Sequence, residues 1–428
     1  MLSKSVSIFL TCLGLYFGMS TNAAMGSESN LNSQSSSINL RDAIAKTFAH
    51  NPSLRAFDYK IKAQGGKEFQ AGLSSSKEVS FLLEDALGTG AFEGTNNAKA
   101  TLSIGWVLEG ETRQGYKDVA RAGTSALTAE ANLKRLDAAA ETAHLYLICL
   151  GNQSRLINAE KIVDLAKKTV FAVKKRVTAG KTPDAELSRA RAEVARRQLE
   201  HEDIEHELSS AIHLLAAQWG VVDPVFTRVE GSLSALPVMS SFEVLKTQLE
   251  QSPEFTRLLS DKRLKQAELK LAESQSGSNW RVNLGVSHFE TFDDQALVAG
   301  ITIPFGERSR NTGRITEVRE NLSQSAAKED ELRVRFETSL YVLHQELQHS
   351  IHRIDTYRSD IIPQLENALK ETNKAYDLGR YSYFEWRSVQ AELFDARNAL
   401  VEDNIAAHLK VIEIERLTGV SMILPTTK

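Results

Sequence analysis

Apolar and polar residues alternate along Lys99–Leu108: Ala100, Leu102, Ile104, Trp106 and Leu108 are spaced by Thr101, Ser103 and Gly105. Period two predicts a β-strand with two unlike faces. Val282, Leu284 and Val286 against Arg281, Asn283, Gly285 and Ser287 predict a second strand, and Leu297, Ala299, Ile301 and Ile303 a third. Val79, Phe81 and Leu83 predict a shorter one, in which Leu82 interrupts the alternation. The strands fall near residues 77–84, 98–108, 280–290 and 296–305, as two pairs joined by loops 85–97 and 291–295 that are rich in Gly, Asn or Asp.

The rest of the pattern is helical. Tyr116 to Val177 contains no proline and is rich in Ala, Leu, Glu, Lys and Arg, which favours one helix of roughly 90 Å at about 1.5 Å per residue. Ile315 to Asp377 is its counterpart, with a kink expected at Pro363. Ile204, Leu208, Ala211, Ile212, Leu215 and Trp219 form an apolar seam. Helices of such length need lateral neighbours, as in a coiled coil or a cylinder of helices.

The elements come in the same order twice, over 38–220 and 241–419, with 221–240 as a linker and 420–428 as a tail. "AIAKTFAHNPSLRA" parallels "VLKTQLEQSPEFTR", with Pro52 against Pro253. "VTAGKTPDAELSRARAEV" parallels "YDLGRYSYFEWRSVQAEL", with Gly180 against Gly379 and Ala192-Glu193 against Ala391-Glu392. Each glycine is expected to end a long helix in positive φ and turn the chain back. Thr182 is expected to cap the returning helix, with Pro183 in its first turn.

Residues 1–24 have the form of an export signal: Lys4, the mostly apolar run Ile8–Met19, then Ala23 and Ala24. Cys12 lies inside that run, and 25–37 is a Ser- and Asn-rich lead-in that reads as disordered. Only Cys149 is left after processing, in an apolar context that suits a small buried hydrophobe. A net charge of -4 argues against a nucleic-acid partner. Beyond the signal there is no apolar run of about 18 residues, so a membrane would have to be crossed by strands. The alternating runs approach the roughly 9–11 residues that crossing requires. Trp106, Trp280 and Phe305 stand at one end of them, and Phe289 and Phe292 at the other. Four strands cannot close in lipid, so two chains with eight strands or three with twelve are needed.

No catalytic signature is present. "HEDIEH" places His201 and His206 five residues apart, off the single face that HExxH requires. His349 and His352 share a face but read as solvated. The competing function is a periplasmic or surface coiled-coil protein of structural or adhesive type, which leaves the four strands without a purpose.

Signal, paired strands, long helices and two glycine turns together resemble the TolC-type outer-membrane efflux channels over nearly the whole mature chain. The local elements that carry the resemblance are the two turn motifs, with "WVLEGETRQG" and "ITIPFGERSRNTG" after the second strand of each pair. The last is similar to the cobalt-zinc-cadmium branch. The resemblance implies a mainly helical fold with membrane β: a long-helix α-barrel continued by a shared twelve-stranded β-barrel in the outer membrane. It also implies a homotrimer, a periplasmic adaptor and a proton-driven inner-membrane pump, with no cofactor. By position, Gly180, Glu186, Leu187, Gly379 and Trp386 belong to adaptor-docking tips, and Glu385 lines the tunnel entrance. A second acid found three residues later in relatives is replaced by Ser388. Three converging Glu385 carboxylates would repel one another or hold a cation; Glu385 also suits a helix N-terminus, and Trp386 also suits the inside of its own hairpin.

Overall fold

The computed structural model describes residues 37–235, 239–277, 279–304 and 310–420. The first half begins with β1 (Ser37–Ile38), α1 (Leu40–His50) and α2 (Pro52–Gly72), so the helix breaks at Asn51. The break is local chemistry. Asn51 accepts from the amides of Ser53 and Leu54 while Pro52, lacking an N–H, opens α2. The second half repeats the device in α5 (Phe242–Glu250) and α6 (Pro253–Ser274), with Ser252 accepting from the Phe255 amide. The intervening elements are β2 (Glu78–Glu84), β3 (Lys99–Leu108), α3 (Gly110–Thr178), α4 (Asp184–Ala217) and β4 (Arg228–Val229). After α6 come β5 (Trp280–Phe289), β6 (Asp294–Thr302), α7 (Thr312–Thr356), α8 (Ile362–Asp377) and α9 (Tyr383–Thr418). β4 pairs in parallel with β1, so the stretch expected to be only a linker also fastens the start of the described chain.

β2, β3, β5 and β6 form one antiparallel sheet in that order, and its central pair joins the two halves. Cross-strand register sorts the side chains by face. Phe81, Leu102, Val286 and Leu297 make one row, and Val79, Ile104, Leu284 and Ala299 the next. This face is open, to the extent that Leu297 is 89% exposed. The opposite face carries Ser80, Ser103, Gly285 and Val298, then Leu82, Thr101, Ser287 and Ala296. Leu82 breaks the alternation because it lies on that second face. There the Thr101 and Ser287 hydroxyls share a 2.7 Å hydrogen bond. A Cβ at Gly285 would come within 2.6 Å of the Leu102 carbonyl, so that position has no room for a side chain. Trp106 and Trp280 sit at one end of the sheet and Phe289 at the other; Phe305 lies outside the described residues.

α3 has 69 residues, roughly 100 Å at about 1.5 Å per residue, and starts six positions before Tyr116 because Gly110 turns in at φ 53°. α7 and α8 together match it, but a π turn at Tyr357–Ile361 separates them. Pro363 follows directly, without the amide an α-helix would use there. No helix among the described residues is long and apolar enough to cross a membrane.

Where the helices of each half converge on the α1–α2 or α5–α6 pair, an apolar cluster forms. Tyr146, Leu150, Leu215 and Trp219 belong to the first, and Leu245, Leu249, Leu340, Leu347 and Ile414 to the second. Cys149 is fully buried in the first, and burial pushes its thiol up to about 12. Each cluster is closed by a left-handed glycine against a helix-opening proline: Gly220 (φ 77°) on Pro52 and Gly419 (φ 72°) on Pro253.

Candidate functional site

α3 and α8 end in the same hydrogen-bonded turn. The Gly180 amide donates to the Val177 carbonyl and the Lys181 amide to the Arg176 carbonyl, each at 2.9 Å. At α8 the Gly379 and Arg380 amides donate to Tyr376 and Ala375, again at 2.9 Å. This Schellman closure needs one residue in left-handed backbone. Gly180 (φ 68°) and Gly379 (φ 76°) supply it.

A small core fills the space between the two turns, made of Val173, Leu187, Ala190, Tyr376, Tyr383 and Trp386. Tyr376 and Trp386 stack with ring centroids 4.8 Å apart. Leu187 and Trp386, counterparts 199 residues apart, therefore meet inside the chain. Arg176 reaches across from the first half. Its guanidinium stands 4.7 Å over the Tyr376 ring, donates to the Tyr376 carbonyl, and donates to the Asp377 carbonyl at 3.3 Å. Burial first, and then the neighbouring Glu186 carboxylate, raise the Tyr376 hydroxyl above its ordinary value.

Further along the hairpins an ion cluster joins them again. Arg387 donates from Nη2 and Nε to one oxygen of Glu193 at 2.9 and 3.1 Å, and Arg197 donates to the other at 2.9 Å. Arg196 also reaches Glu193, and Arg197 continues to Glu200 at 2.8 Å. Burial works against ionisation of Glu193, yet the Arg387 hydrogen bond and the charges of Arg197 and Arg387 outweigh it. The carboxyl is held below its ordinary range. The arrangement fixes two hairpin ends against each other and leaves their outermost turns in solvent.

Residues 44–221 match the family model described as outer membrane efflux protein. Over that stretch the chain is similar to the outer membrane efflux family. Over 363 residues it is 25% identical to the cobalt-zinc-cadmium resistance protein CzcC of Cupriavidus metallidurans, covering 84% of this chain and 85% of that protein. Its fold superposes on the outer-membrane channel OprN with a TM-score of 0.75 at 14% identity, covering 89% of both chains. For VceC of Vibrio cholerae the score is 0.71 at 19% identity, covering 89% of this chain and 96% of that one. OprN is an outer-membrane channel and VceC an outer membrane protein.

The residues assigned to the tips part into two groups. Gly180, Gly379 and Glu385 are at the surface and Glu186 is half-buried. Leu187 and Trp386 are not surface anchors: Trp386 is 4% exposed because Tyr376 covers its indole. Thr182 does not cap α4, which starts at Asp184 with Pro183 in the cap position. Its hydroxyl accepts instead from Arg176 Nε at 3.3 Å. Glu385 acts as a capping-box acid, accepting from the Ser382 amide at 2.7 Å and the Ser382 hydroxyl at 2.9 Å. Those bonds lower its pKa. Its counterpart Glu186 has no such cap, since Pro183 replaces Ser382. Ser388 turns away to Glu392, at 3.1 Å.

Arg176, Arg197 and Arg387 were missed by sequence reasoning. A signal exists: at all three places the repeats disagree, with Ala375 opposite Arg176, Ala396 opposite Arg197 and Ser188 opposite Arg387.

Proposed function

We propose that this channel is a homotrimer and the exit duct of a tripartite pump. Each chain would contribute four strands to a twelve-stranded barrel, and the helices would form the tunnel beneath it. The observation that carries this reading is the four-stranded sheet with an apolar outward face and two unpaired edge strands, β2 and β6. In lipid an unpaired edge costs several kcal/mol for each orphaned backbone group, so the edges must be met by other copies. In the same reading residues 1–24 are removed on export and the halves 38–220 and 241–419 descend from a duplication. The tips around Gly180 and Gly379 receive a periplasmic adaptor, which links the duct to a proton-driven inner-membrane pump. The three Glu385 side chains lie near its entrance. The similarity to CzcC supports a divalent metal cation as the cargo.

The test is the mass of the native protein, extracted in detergent from separated outer membranes and measured by light scattering with the detergent subtracted. Three chains per particle is the expected result. A monomer or dimer released without detergent would leave the sheet as a surface feature and the coiled-coil alternative in its place. For the cargo, deletion of the gene should raise sensitivity to cobalt, zinc or cadmium salts; unchanged tolerance to all three would remove the metal reading and leave the duct intact.

A further inference from the structure

The duplication provides an internal comparison of the two tips, since residues 199 apart occupy equivalent places on the same turn. At three of these places the second tip exposes a large apolar side chain where the first has a small residue. Leu378, Tyr381 and Phe384 are 69%, 46% and 69% exposed, and their counterparts are Ala179, Thr182 and Ala185. Charge runs the other way. Lys174, Lys175, Lys181, Arg189 and Arg191 of the first tip are all exposed, and none has an ion-pair partner among the described residues. Their counterparts are Asn373, Lys374, Arg380, Ser388 and Gln390, and Lys374 is already paired with Glu371 at 2.6 Å.

The exposed ridge is not the hairpin's own core, which Tyr376, Trp386 and Leu187 already fill. Adjacent exposed aromatic and leucine side chains mark a surface that a partner covers. A second copy of this chain is a poor occupant of the first tip, because it brings cations of its own tips against five unpaired cations. An anionic bilayer is met by apolar and cationic groups sharing one amphipathic face, whereas here three of the five cationic positions of the first tip carry uncharged residues on the apolar one. Resting on the docking role stated above, we propose that a single periplasmic partner meets the two tips with unlike faces. An apolar helical ridge seats on Leu378, Tyr381 and Phe384, and an acidic flank lies over Lys174, Lys175, Lys181, Arg189 and Arg191. The apolar contact holds the complex, while the cationic tip steers its approach.

The test replaces Phe384 in one variant and its counterpart Ala185 in another with the photo-cross-linker p-benzoylphenylalanine, in full-length protein in permeabilised cells. Cross-linked peptides are then sequenced by mass spectrometry. Expected are two segments of one periplasmic protein, apolar at the Phe384 site and rich in Asp and Glu at the Ala185 site. Raising salt from about 50 to 500 mM should cut the yield at the Ala185 site at least about fivefold and change that at the Phe384 site less than about twofold. Cross-links to a second copy, to lipid alone, to chemically similar segments at both sites, or to nothing would each overturn the proposal. Particle mass, read on the same variants, keeps the two claims apart: trimers with any of those results refute the unlike faces only, and absence of trimers refutes the duct itself.

Discussion

Glu193→Gln keeps the shape of the side chain and removes the one negative charge that Arg387, Arg197 and Arg196 share. Charge-assisted hydrogen bonds contribute about 1.5–3 kcal/mol each against roughly 1 for neutral ones, and breaking a buried pair costs about 3–5. Arg387 is a third exposed and Arg196 more than half exposed, so water recovers part of the loss. The net expectation is about 2 kcal/mol in the local opening of one hairpin from the other, roughly a thirtyfold change in an opening equilibrium. Hydrogen exchange by mass spectrometry on the native detergent-solubilised protein reads this directly. Peptides covering 368–394 should exchange about thirtyfold faster, with those covering 40–72 unchanged. An acceleration below threefold, or the same acceleration in both regions, would refute the reasoning. The pH dependence has a definite sign. Because the folded carboxyl titrates below its ordinary 4.5, its contribution is complete above that value and is lost as pH falls through the lowered one. Wild type and variant should therefore converge in acid and stay apart at neutral pH.

Gly180→Val or Gly379→Val forces a β-branched residue into left-handed backbone, at a cost of about 1–2 kcal/mol or more; export should weaken while trimer yield stays near wild type, and normal export in both would remove the tips from docking. Leu102→Lys with Leu284→Lys puts two cations on the outward face of the sheet, at about 2–4 kcal/mol each near mid-membrane. Outer-membrane trimer should be lost, and full recovery would mean that this face does not meet lipid. His344 is buried against Phe242 with no hydrogen-bond partner for either ring nitrogen among the described residues. His344→Leu should remove a cost of about 1–3 kcal/mol and raise Tm; a lower Tm would show that the imidazole is satisfied.

The elements that a periodic pattern specifies were legible in the chain. Leu102, Ile104 and Leu284 alternate with polar residues because successive side chains of a strand face opposite sides, and Gly180 and Gly379 announce turns because only glycine adopts left-handed backbone at no steric cost. What could not be read depends on which distant residues meet. Trp386 looks like a surface anchor until Tyr376, ten residues away on the other arm, covers it. Glu193 looks like one more solvated helix acid until Arg387, 194 residues later, is brought beside it. Pairing of β3 with β5 is equally non-local: neither half contains enough alternation to show that the halves share one sheet.

The π turn at Tyr357–Ile361 can be counted in heptads. Along α3, Asn152, Ala159, Ala166 and Val173 are buried at strict seven-residue spacing. Along the second arm Leu340, Leu347 and Ile354 keep the same spacing, and Leu369 and Tyr376 keep it again. From Ile354 to Leu369, however, is fifteen residues where two heptads take fourteen. An uninterrupted α-helix would carry the lower stripe about 100° away from α9. The wider turn takes up the surplus residue, so one insertion in the sequence is absorbed where it occurs and both ends of the arm stay in phase with the same neighbour.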